Sequence, residues 1–223
     1  MRIKLVFSGS NNNFDCSPQD IVNSCVHRML GSDNEYHDKF SPYAVSGLYG
    51  GEIIDDKVSY QNGCYFYISS HDENFMNKIF SSIYGGIEMR DMKLIKVELE
   101  GFIINDCYDI IKTISPILLF KKDKLLTFKD EEFIEVLTQK SRRKLLHDGF
   151  SENDVNTLVI EPFHFENAKL KFPKVHNIIN IASQVMLIVR GNKKVRNALY
   201  ELGLGKSTGC GFGSIEIMNF NKN

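Results

Sequence analysis

The feature that most constrains this chain is a glycine-rich run at residues 203–213. Five glycines share these eleven residues with Lys206, Ser207 and Thr208. Glycine adopts positive φ readily and lets another backbone approach without a Cβ in the way. Such a run is either a flexible turn between two elements or a loop that offers N–H groups, hydroxyls and an ammonium to a phosphate. The spacing of the glycines favours the phosphate-binding loop.

The same run contains the sequence Gly-Lys-Ser, which also ends the common nucleotide-binding P-loop. That motif requires a glycine five positions before its last glycine, where this chain has Tyr200. A P-loop also follows a strand and opens a helix. Here the apolar spacing predicts a helix over 193–202 before the glycines, and alternation predicts a strand over 214–220 after them. The order of elements therefore argues against an ATPase.

Charge and cysteine content limit the class of protein. The 223 residues carry a formal net charge of −1, so any attraction to nucleic acid must come from local basic patches. The five cysteines are odd in number and form no Cys-x-x-Cys pair, which predicts reduced thiols rather than disulfides or a structural zinc site. No stretch approaches the length that spans a membrane. We expect a soluble cytoplasmic protein without a membrane partner.

Hydrophobic periodicity divides the chain into two similar halves. Residues 1–110 predict helices over 18–30 and 72–84, and strands over 2–8, 43–48, 57–69 and 93–104. Residues 111–223 predict helices over 131–147 and 193–202, and strands over 114–120, 158–172, 178–190 and 214–220. Each half has the order β-α-β-β-α-β. The sequence therefore predicts an α+β protein with two tandem ferredoxin-like (RRM-like) domains, 1–110 and 111–223.

Two stretches of the chain closely resemble the signature of a known family. Gly203-Leu204-Gly205, then five residues including a lysine, then Gly211-Phe212-Gly213 resembles the glycine motif of the CRISPR repeat-processing endoribonucleases. Residues 114–119, Ile-Ser-Pro-Ile-Leu-Leu, resemble the strand that opens the C-terminal half of that family. The order of elements also matches over nearly the whole chain. The chain thus resembles a member of this family, which belongs to the repeat-associated (RAMP) superfamily.

The resemblance implies an endoribonuclease that binds CRISPR repeat RNA and cuts it in the precursor transcript to produce guide RNAs. The 2′-hydroxyl of the RNA would attack the adjacent phosphate and leave a 2′,3′-cyclic phosphate, with no metal and no cofactor. One alternative is a non-catalytic repeat-RNA-binding subunit of a guide-RNA effector complex, and another is a nucleotide-binding protein built on Gly205-Lys206-Ser207. The oligomeric state is open between monomer and homodimer.

A metal-free ribonuclease needs a group that titrates near neutral pH and a cation that stabilises the transition state. Histidine titrates in that range, and the chain has six. In the family that this chain resembles, the catalytic histidine commonly lies between the first helix and the second strand, which here corresponds to His37. Lys39 would then stabilise the reacting phosphate, and Tyr36 would position the attacking hydroxyl. His27, on the first helix, is the second candidate for the catalytic histidine.

Basic residues around the glycine loop are the candidates for RNA contacts. One cluster leads into the last helix and consists of Arg190, Lys193, Lys194 and Arg196. Arg142 and Arg143, within a basic run at 140–144, would contact RNA unless this run is a solvated helix face. The loop itself would contribute Gly205, Lys206, Ser207, Thr208, Gly209 and Gly211. The aromatic residues 65–67 lack the pattern of an RNA-stacking platform and are interpreted as hairpin core and cross-strand packing.

Overall fold

The computed structural model describes residues 1–14, 17–31, 36, 41–55, 57–101 and 104–218. The first half of the chain builds an antiparallel sheet whose core face is covered by two helices. Its elements are β1 (Arg2–Phe7), β2 (Asn13–Phe14), α1 (Pro18–Leu30), β3 (Tyr43–Val45), β4 (Glu52–Ile54), β5 (Lys57–Ser59), β6 (Cys64–Ser70), α2 (Glu73–Tyr84), β7 (Glu88–Met89) and β8 (Met92–Glu100). The main sheet has the order β3-β6-β1-β8-β7, and β2, β5 and β4 form a small sheet beside it.

The second half repeats the same plan with more short hairpins. Its elements are β9 (Tyr108–Thr113), β10 (Leu119–Lys121), β11 (Lys124–Leu126), α3 (Phe133–His147), α4 (Glu152–Asn156), β12 (Val159–Phe163), β13 (Lys169–Lys171), β14 (Lys174–Val175), β15 (Ile178–Ile179), β16 (Ala182–Gln184), β17 (Met186–Arg190), α5 (Lys193–Leu202) and β18 (Ile215–Ile217). The main sheet has the order β12-β17-β9-β18. Among the described residues, no helix is long and apolar enough to cross a membrane.

The two main sheets share one topology. In each half, the second, third, first and fourth strand of the β-α-β-β-α-β unit lie side by side in that order, as β3-β6-β1-β8 and β12-β17-β9-β18. Each sheet has its own apolar core, which joins the strands to the helices of the same half. The prediction of two tandem ferredoxin-like domains is therefore confirmed.

Helix ends follow the local signals in the sequence. At the start of α1, Ser17 Oγ accepts a hydrogen bond of 3.4 Å from the N–H of Asp20, and Pro18 takes the first helical position. At the start of α5, Asn192 Oδ1 accepts one of 2.9 Å from the N–H of Val195. Gly203 ends α5 with a φ of +69°, which directs the chain into the glycine loop.

The opening strand of the second half is not the one that the sequence predicted. We expected a strand over 114–120, but the main-sheet strand is β9, Tyr108–Thr113, in which Asp109, Ile111 and Thr113 are buried. The predicted boundary between residues 110 and 111 therefore falls inside β9. The Ser-Pro segment lies beyond that strand, where the N–H of Ile114 donates to Ser214 O at 2.9 Å. Its backbone hydrogen bonds go to the glycine loop, at Lys206 and Gly213, and to Ser183 of β16, and do not extend the main sheet.

Charged and polar contacts join the two halves. The guanidinium of Arg2, at the start of β1, is buried and donates to Ile215 O at 2.6 Å and to Tyr200 O at 3.2 Å. It also lies 3.8 Å from the centre of the Tyr200 ring. On the same boundary, the N–H of Gly47 donates to Ser115 Oγ at 2.9 Å. These contacts bring β3 and the glycine loop to adjacent positions.

Candidate nucleic-acid interface

The glycine loop is an ordered structure that is tied to the Ser-Pro segment. The N–H of Lys206 donates to Leu118 O at 2.8 Å, and the N–H of Gly213 donates to Pro116 O at 3.0 Å. The N–H of Leu204 donates to Gly213 O at 2.8 Å, which closes the loop on itself. These three N–H groups are therefore used inside the protein. They are not available to a bound phosphate, so the candidate donors of the loop include the side chains of Lys206 and Ser207, which line the cleft described below.

Close packing explains why glycine is required at two positions of the loop. Gly205 has a φ of +79°, and a Cβ there would lie 2.6 Å from Leu118 O. Gly213 has a φ of +62°, and a Cβ there would lie 1.8 Å from Leu204 O. Real side chains do not make contacts this short, and L residues rarely adopt such φ values. The two ends of the motif therefore allow two backbone segments to touch.

Lys144 of α3 holds the glycine loop from the interior of the protein by hydrogen bonds. Its side chain is buried, and its ammonium donates to Leu202 O, to Gly203 O at 3.5 Å and to Thr208 Oγ1 at 2.8 Å. Thr208 Oγ1 in turn donates to Tyr43 O of β3 at 3.0 Å. Burial lowers the pKa of Lys144 to about 7. One lysine thus connects the end of α5, the glycine loop and, through Thr208, the first domain.

A cleft of about 850 Å³ opens above this contact, between the two domains. Its described lining contains four cations and three histidines and no aspartate or glutamate. The cations are Lys140, Arg143, Lys144 and Lys206, and the histidines are His27, His147 and His176. The rest of the described lining is polar or apolar: Tyr36, Ser41, Tyr43, Leu119, Phe120, Gly205, Ser207, Thr208 and Cys210. The concentration of positive charge suits an anionic ligand, even though the whole chain is nearly neutral.

The cations that border the cleft are held in different ways. The exposed Lys206 ammonium lies 5.1 Å from the centre of the Phe120 ring, a cation–π contact at the rim. Arg143 and Lys140 are exposed on α3 and project from the helix that carries the buried Lys144. Ser207 has a φ of +58° and is half-buried beside Lys206. Several donors can therefore reach the same bound group.

The basic cluster at 190–196 does not border this cleft. Arg190 pairs with Glu161 at 2.7 Å, Lys193 with Asp106 at 2.6 Å, and Lys194 with Asp154 at 3.5 Å. Arg196 is buried: its guanidinium forms an ion pair with Asp109 and donates to Gly191 O at 2.9 Å and Asn105 O at 2.6 Å. Arg196 is therefore occupied inside the second domain, and its chain neighbours pair with acids outside the cleft.

The remaining predicted contacts divide between the cleft and the interior. Arg143 lines the cleft, whereas Arg142 donates to Leu158 O at 2.7 Å. Lys206, Ser207, Thr208 and Gly205 line it as well, while Gly209 and Gly211 are buried behind them. Lys144 and His147 were missed by sequence reasoning as individual residues. The only signal for them was membership of one helix whose basic run resembles a solvated face.

Of the three predicted catalytic residues, Tyr36 is the one that the structure describes. Tyr36 is 9% exposed and lines the cleft, and its hydroxyl donates to Asp72 Oδ2 at 3.2 Å. Its ring packs edge-on against Phe75, with 5.3 Å between ring centres. His37 and Lys39 lie outside the described residues. His27, the second candidate, lies on the exposed side of α1 and lines the cleft.

The aromatic residues of β6 separate onto two faces of the sheet. Phe66 is buried in the core, as the interpretation of residues 65–67 expected. Tyr65 and Tyr67 are half-buried on the opposite face, where Tyr65 stacks on Tyr49 at 5.2 Å between ring centres. With Arg2 they line a second, smaller cleft of about 280 Å³. The expectation of core packing therefore holds for Phe66 and not for the two tyrosines, whereas the expected cross-strand packing is found in the Tyr65–Tyr49 pair.

Comparison with known proteins agrees with this architecture. The family described as "CRISPR associated protein Cas6, C-terminal" matches residues 98–217. A search of curated proteins finds no match. Three solved structures match this chain over nearly its whole length and nearly the whole of their own. All three are below 25% identity, so the likeness shows a shared fold.

The first of these structures is from the characterisation of a Cas6-related gene of Pyrococcus furiosus, with a TM-score of 0.81 and 21% identity over 99% of each chain. A RAMP protein described as binding different RNA substrates has a TM-score of 0.80 and 19% identity over 98% of this chain and 100% of its own. A CRISPR-associated protein Cas6 has a TM-score of 0.77 and 19% identity over 98% of this chain and 99% of its own. The family match spans more than half of the chain, which therefore belongs to the Cas6 family of CRISPR-associated proteins.

Proposed function

We propose that this chain binds CRISPR repeat RNA in the precursor transcript and cuts it to release guide RNAs. The observation that carries the proposal is the cleft between the two ferredoxin-like domains, whose described lining is basic and contains no acid. Membership of the Cas6 family supports the substrate, since relatives have been solved as product and substrate-mimic complexes. The exposed cations Lys140, Arg143 and Lys206 are the RNA-binding residues of this proposal.

Electrostatics supports an RNA ligand in this cleft. Each phosphate neutralised by a lysine or arginine releases condensed counterions, which favours binding at low salt. The cations come from α3 and from the glycine loop, so the phosphates of one RNA strand could contact both elements. Ser207 adds a hydroxyl next to Lys206, and hydroxyls are frequent partners of phosphate oxygens. Thr208, Gly209 and Gly211 keep these side chains in position.

Covalent geometry supports a catalytic role for His37. Tyr36 and Ser41 both line the cleft, and residues 37–40 connect them. Consecutive Cα atoms are about 3.8 Å apart, and His37 directly follows Tyr36, whose side chain lines the cleft. We therefore propose His37 as the general acid or base, with Lys39 stabilising the transition state. Tyr36 would orient the substrate through its ring, since its hydroxyl donates to Asp72.

The proposed reaction uses a nucleophile that RNA itself carries. The 2′-oxygen forms a bond to phosphorus while the bond from phosphorus to the 5′-oxygen breaks. One proton leaves the 2′-hydroxyl and one is delivered to the 5′-oxygen, so that the products are a 2′,3′-cyclic phosphate and a 5′-hydroxyl. A cation beside the phosphate stabilises the charge of the pentacovalent transition state. Metal independence is part of this proposal.

End-labelled repeat RNA in EDTA tests the proposal. We expect cleavage at one position by the wild type, loss of cleavage in His37→Ala, and no cleavage of an RNA with a 2′-deoxy substitution at the cut site. His27→Ala is the matched control, because His27 also lines the cleft. Cleavage that survives in His37→Ala but is lost in His27→Ala would keep the ribonuclease and reject His37. Cleavage of the 2′-deoxy RNA would reject the mechanism.

A non-catalytic RNA-binding subunit is the second candidate function. A solved RAMP protein with the same fold is described as binding different RNA substrates. This candidate predicts that the repeat RNA binds in the cleft and stays intact in every lane, and that His37→Ala leaves the affinity unchanged. It would make the chain a component of a guide-RNA effector complex.

A further inference from the structure

The outer edge of β8 is exposed and carries apolar side chains. On its inner side, β8 pairs with β1 from Phe7 opposite Leu94 to Arg2 opposite Glu100, with a register shift between Val6 and Phe7 that leaves Ile95 without an opposite residue on β1. On its outer side, β7 pairs with β8 at Met92 and Lys93, and the N–H of Leu94 donates to Ile87 O at 3.1 Å. Among the described residues, no strand pairs with the outer edge of β8 beyond that hairpin. This edge can accept another strand.

Three aliphatic residues of this strand are exposed to solvent. Ile95 is 64% exposed, Val97 39% and Leu99 72%. Val97 and Leu99 lie opposite the fully buried Leu5 and Ile3 of β1, so their side chains are on the core face of the sheet. An apolar face that continues a core out to an unpaired edge is unusual in a monomeric protein.

The charges of the strand are arranged to match a second copy of themselves. Edge strands are commonly protected by charged side chains, and charges of one sign would repel a second copy of the same edge. Here Lys96 is followed by Glu98 on the same face, with 2.5 Å between Lys96 Nζ and Glu98 Oε1. In an antiparallel pair centred on Val97, Lys96 of each copy lies opposite Glu98 of the other. The same register puts Val97 opposite itself and Ile95 opposite Leu99, so that exposed aliphatic residues meet on both sides of the axis.

We propose that β8 pairs antiparallel with β8 of a second copy of this chain, across a two-fold axis at Val97, to form one continuous sheet. The symmetry is isologous, so each contact occurs twice. β8 and β3 lie on opposite sides of the β6-β1 pair, and β3 is the strand that contacts the glycine loop. The dimer therefore leaves the basic cleft of both copies open. Pairing of one short strand buries less than a permanent interface, so the dimer is concentration-dependent.

Sedimentation and disulfide trapping test this dimer in the full chain. We expect the mass of the wild type to rise from 25.5 kDa toward twice that value with concentration. Val97→Lys puts two ammonium groups on the axis, and it should remain a monomer at every concentration while keeping its melting temperature. Lys96→Glu, which creates two like-charged pairs, provides a second disrupting variant. A wild type that stays monomeric, or variants that dimerise equally well, would overturn the proposal.

Trapping checks the register independently of affinity. In a background with Cys16, Cys107 and Cys210 changed to serine, Val97→Cys should form a disulfide-linked dimer, because residues on the axis face each other at about 5 Å between Cβ atoms. Ile95→Cys is the matched control, since its two copies would be about 13 Å apart along the paired strands. Crosslinking through Ile95→Cys but not Val97→Cys would reject this register. Absence of crosslinks in both variants would reject the strand pair and leave the face to solvent or to a different protein.

Discussion

The ammonium of Lys144 donates a hydrogen bond of 2.8 Å to Thr208 Oγ1, and the Thr208 hydroxyl donates one of 3.0 Å to Tyr43 O in the other domain. Lys144 also donates to Leu202 O, where α5 ends. The buried Lys144 thus adds side-chain hydrogen bonds to the backbone hydrogen bonds that tie the glycine loop to the Ser-Pro segment. This arrangement prepares the loop before a ligand arrives, which reduces the conformational entropy lost on binding.

Replacing Lys144 by methionine should loosen the loop and change the pH dependence of stability. The pKa of Lys144 is about 7 in the folded chain and near 10.5 in the unfolded one, so the unfolded chain binds more protons between these values. The free energy of unfolding of the wild type, relative to Lys144→Met, should therefore rise from pH 7 to pH 10.5. Denaturant unfolding across this range measures it, and a flat or falling difference would contradict the account.

His71 should show the opposite dependence. Its Nε2 lies 2.7 Å from Asp148 and its Nδ1 3.4 Å from Glu201, and these partners raise the pKa of His71 to about 9 from 6.5. The folded chain then holds the extra proton between these values, so the stabilisation is complete below pH 6.5 and lost above pH 9. His71→Gln should be less stable than the wild type at pH 6 and equal to it at pH 10. An undiminished gap at pH 10 would assign His71 a packing role instead.

Arg196 and Arg143 should separate stability from RNA binding. Arg196→Met leaves Asp109 buried without its cation, which costs about 3–5 kcal/mol of unfolding free energy. The RNA affinity of the molecules that remain folded should not change. Arg143→Ala should alter stability by less than about 0.5 kcal/mol and weaken RNA binding. Chemical unfolding and filter binding at one salt concentration measure the two effects, and the reverse pattern would refute the assignment of the cleft.

Gly205 should be sensitive to alanine beyond the strain of its backbone. Its added Cβ would lie 2.6 Å from Leu118 O, whereas a Cβ at Gly149, with a φ of +89°, meets nothing within 4 Å. Both substitutions introduce the left-handed strain of about 1 kcal/mol. Thermal melting should therefore fall more for Gly205→Ala than for Gly149→Ala. Equal losses would mean that the loop can move away from the Ser-Pro segment at no cost.

Sequence reasoning was most successful where the structure depends on local signals. The periodicity of the helices predicted α1 and α5 at their observed bounds, 18–30 and 193–202, and the order of elements predicted the ferredoxin-like topology. The strand over 114–120 was wrong, because the Ser-Pro segment is apolar enough to resemble a strand but pairs with the glycine loop. Local pattern does not reveal which partner an extended segment takes.

The candidate site was harder to predict because its residues are selected by tertiary contacts. Arg196 and Arg143 both occur in basic clusters, yet the partner of Arg196 is 87 positions away in the chain. Lys144 lies next to Arg143 in sequence, but helical geometry turns it by about 100° around the axis, so that Lys144 is buried while Arg143 is exposed. The glycine motif was recognised from its spacing, and the structure shows that Gly205 and Gly213 allow close backbone packing there. Composition shows which residues could bind RNA, and the fold selects among them.

The most direct test of the central claim measures how two charge-reversal variants of the protein bind and cleave repeat RNA. One variant changes the three exposed cations of the cleft, Lys140, Arg143 and Lys206, to glutamate. The other changes Arg190, Lys193 and Lys194, which lie outside the cleft, to glutamate, so that both variants alter the net charge by the same amount. We predict that the first variant loses RNA affinity by at least about 100-fold and cleavage with it, while the second stays within about fivefold of the wild type. Retained binding in the first variant, with loss in the second, would contradict the account.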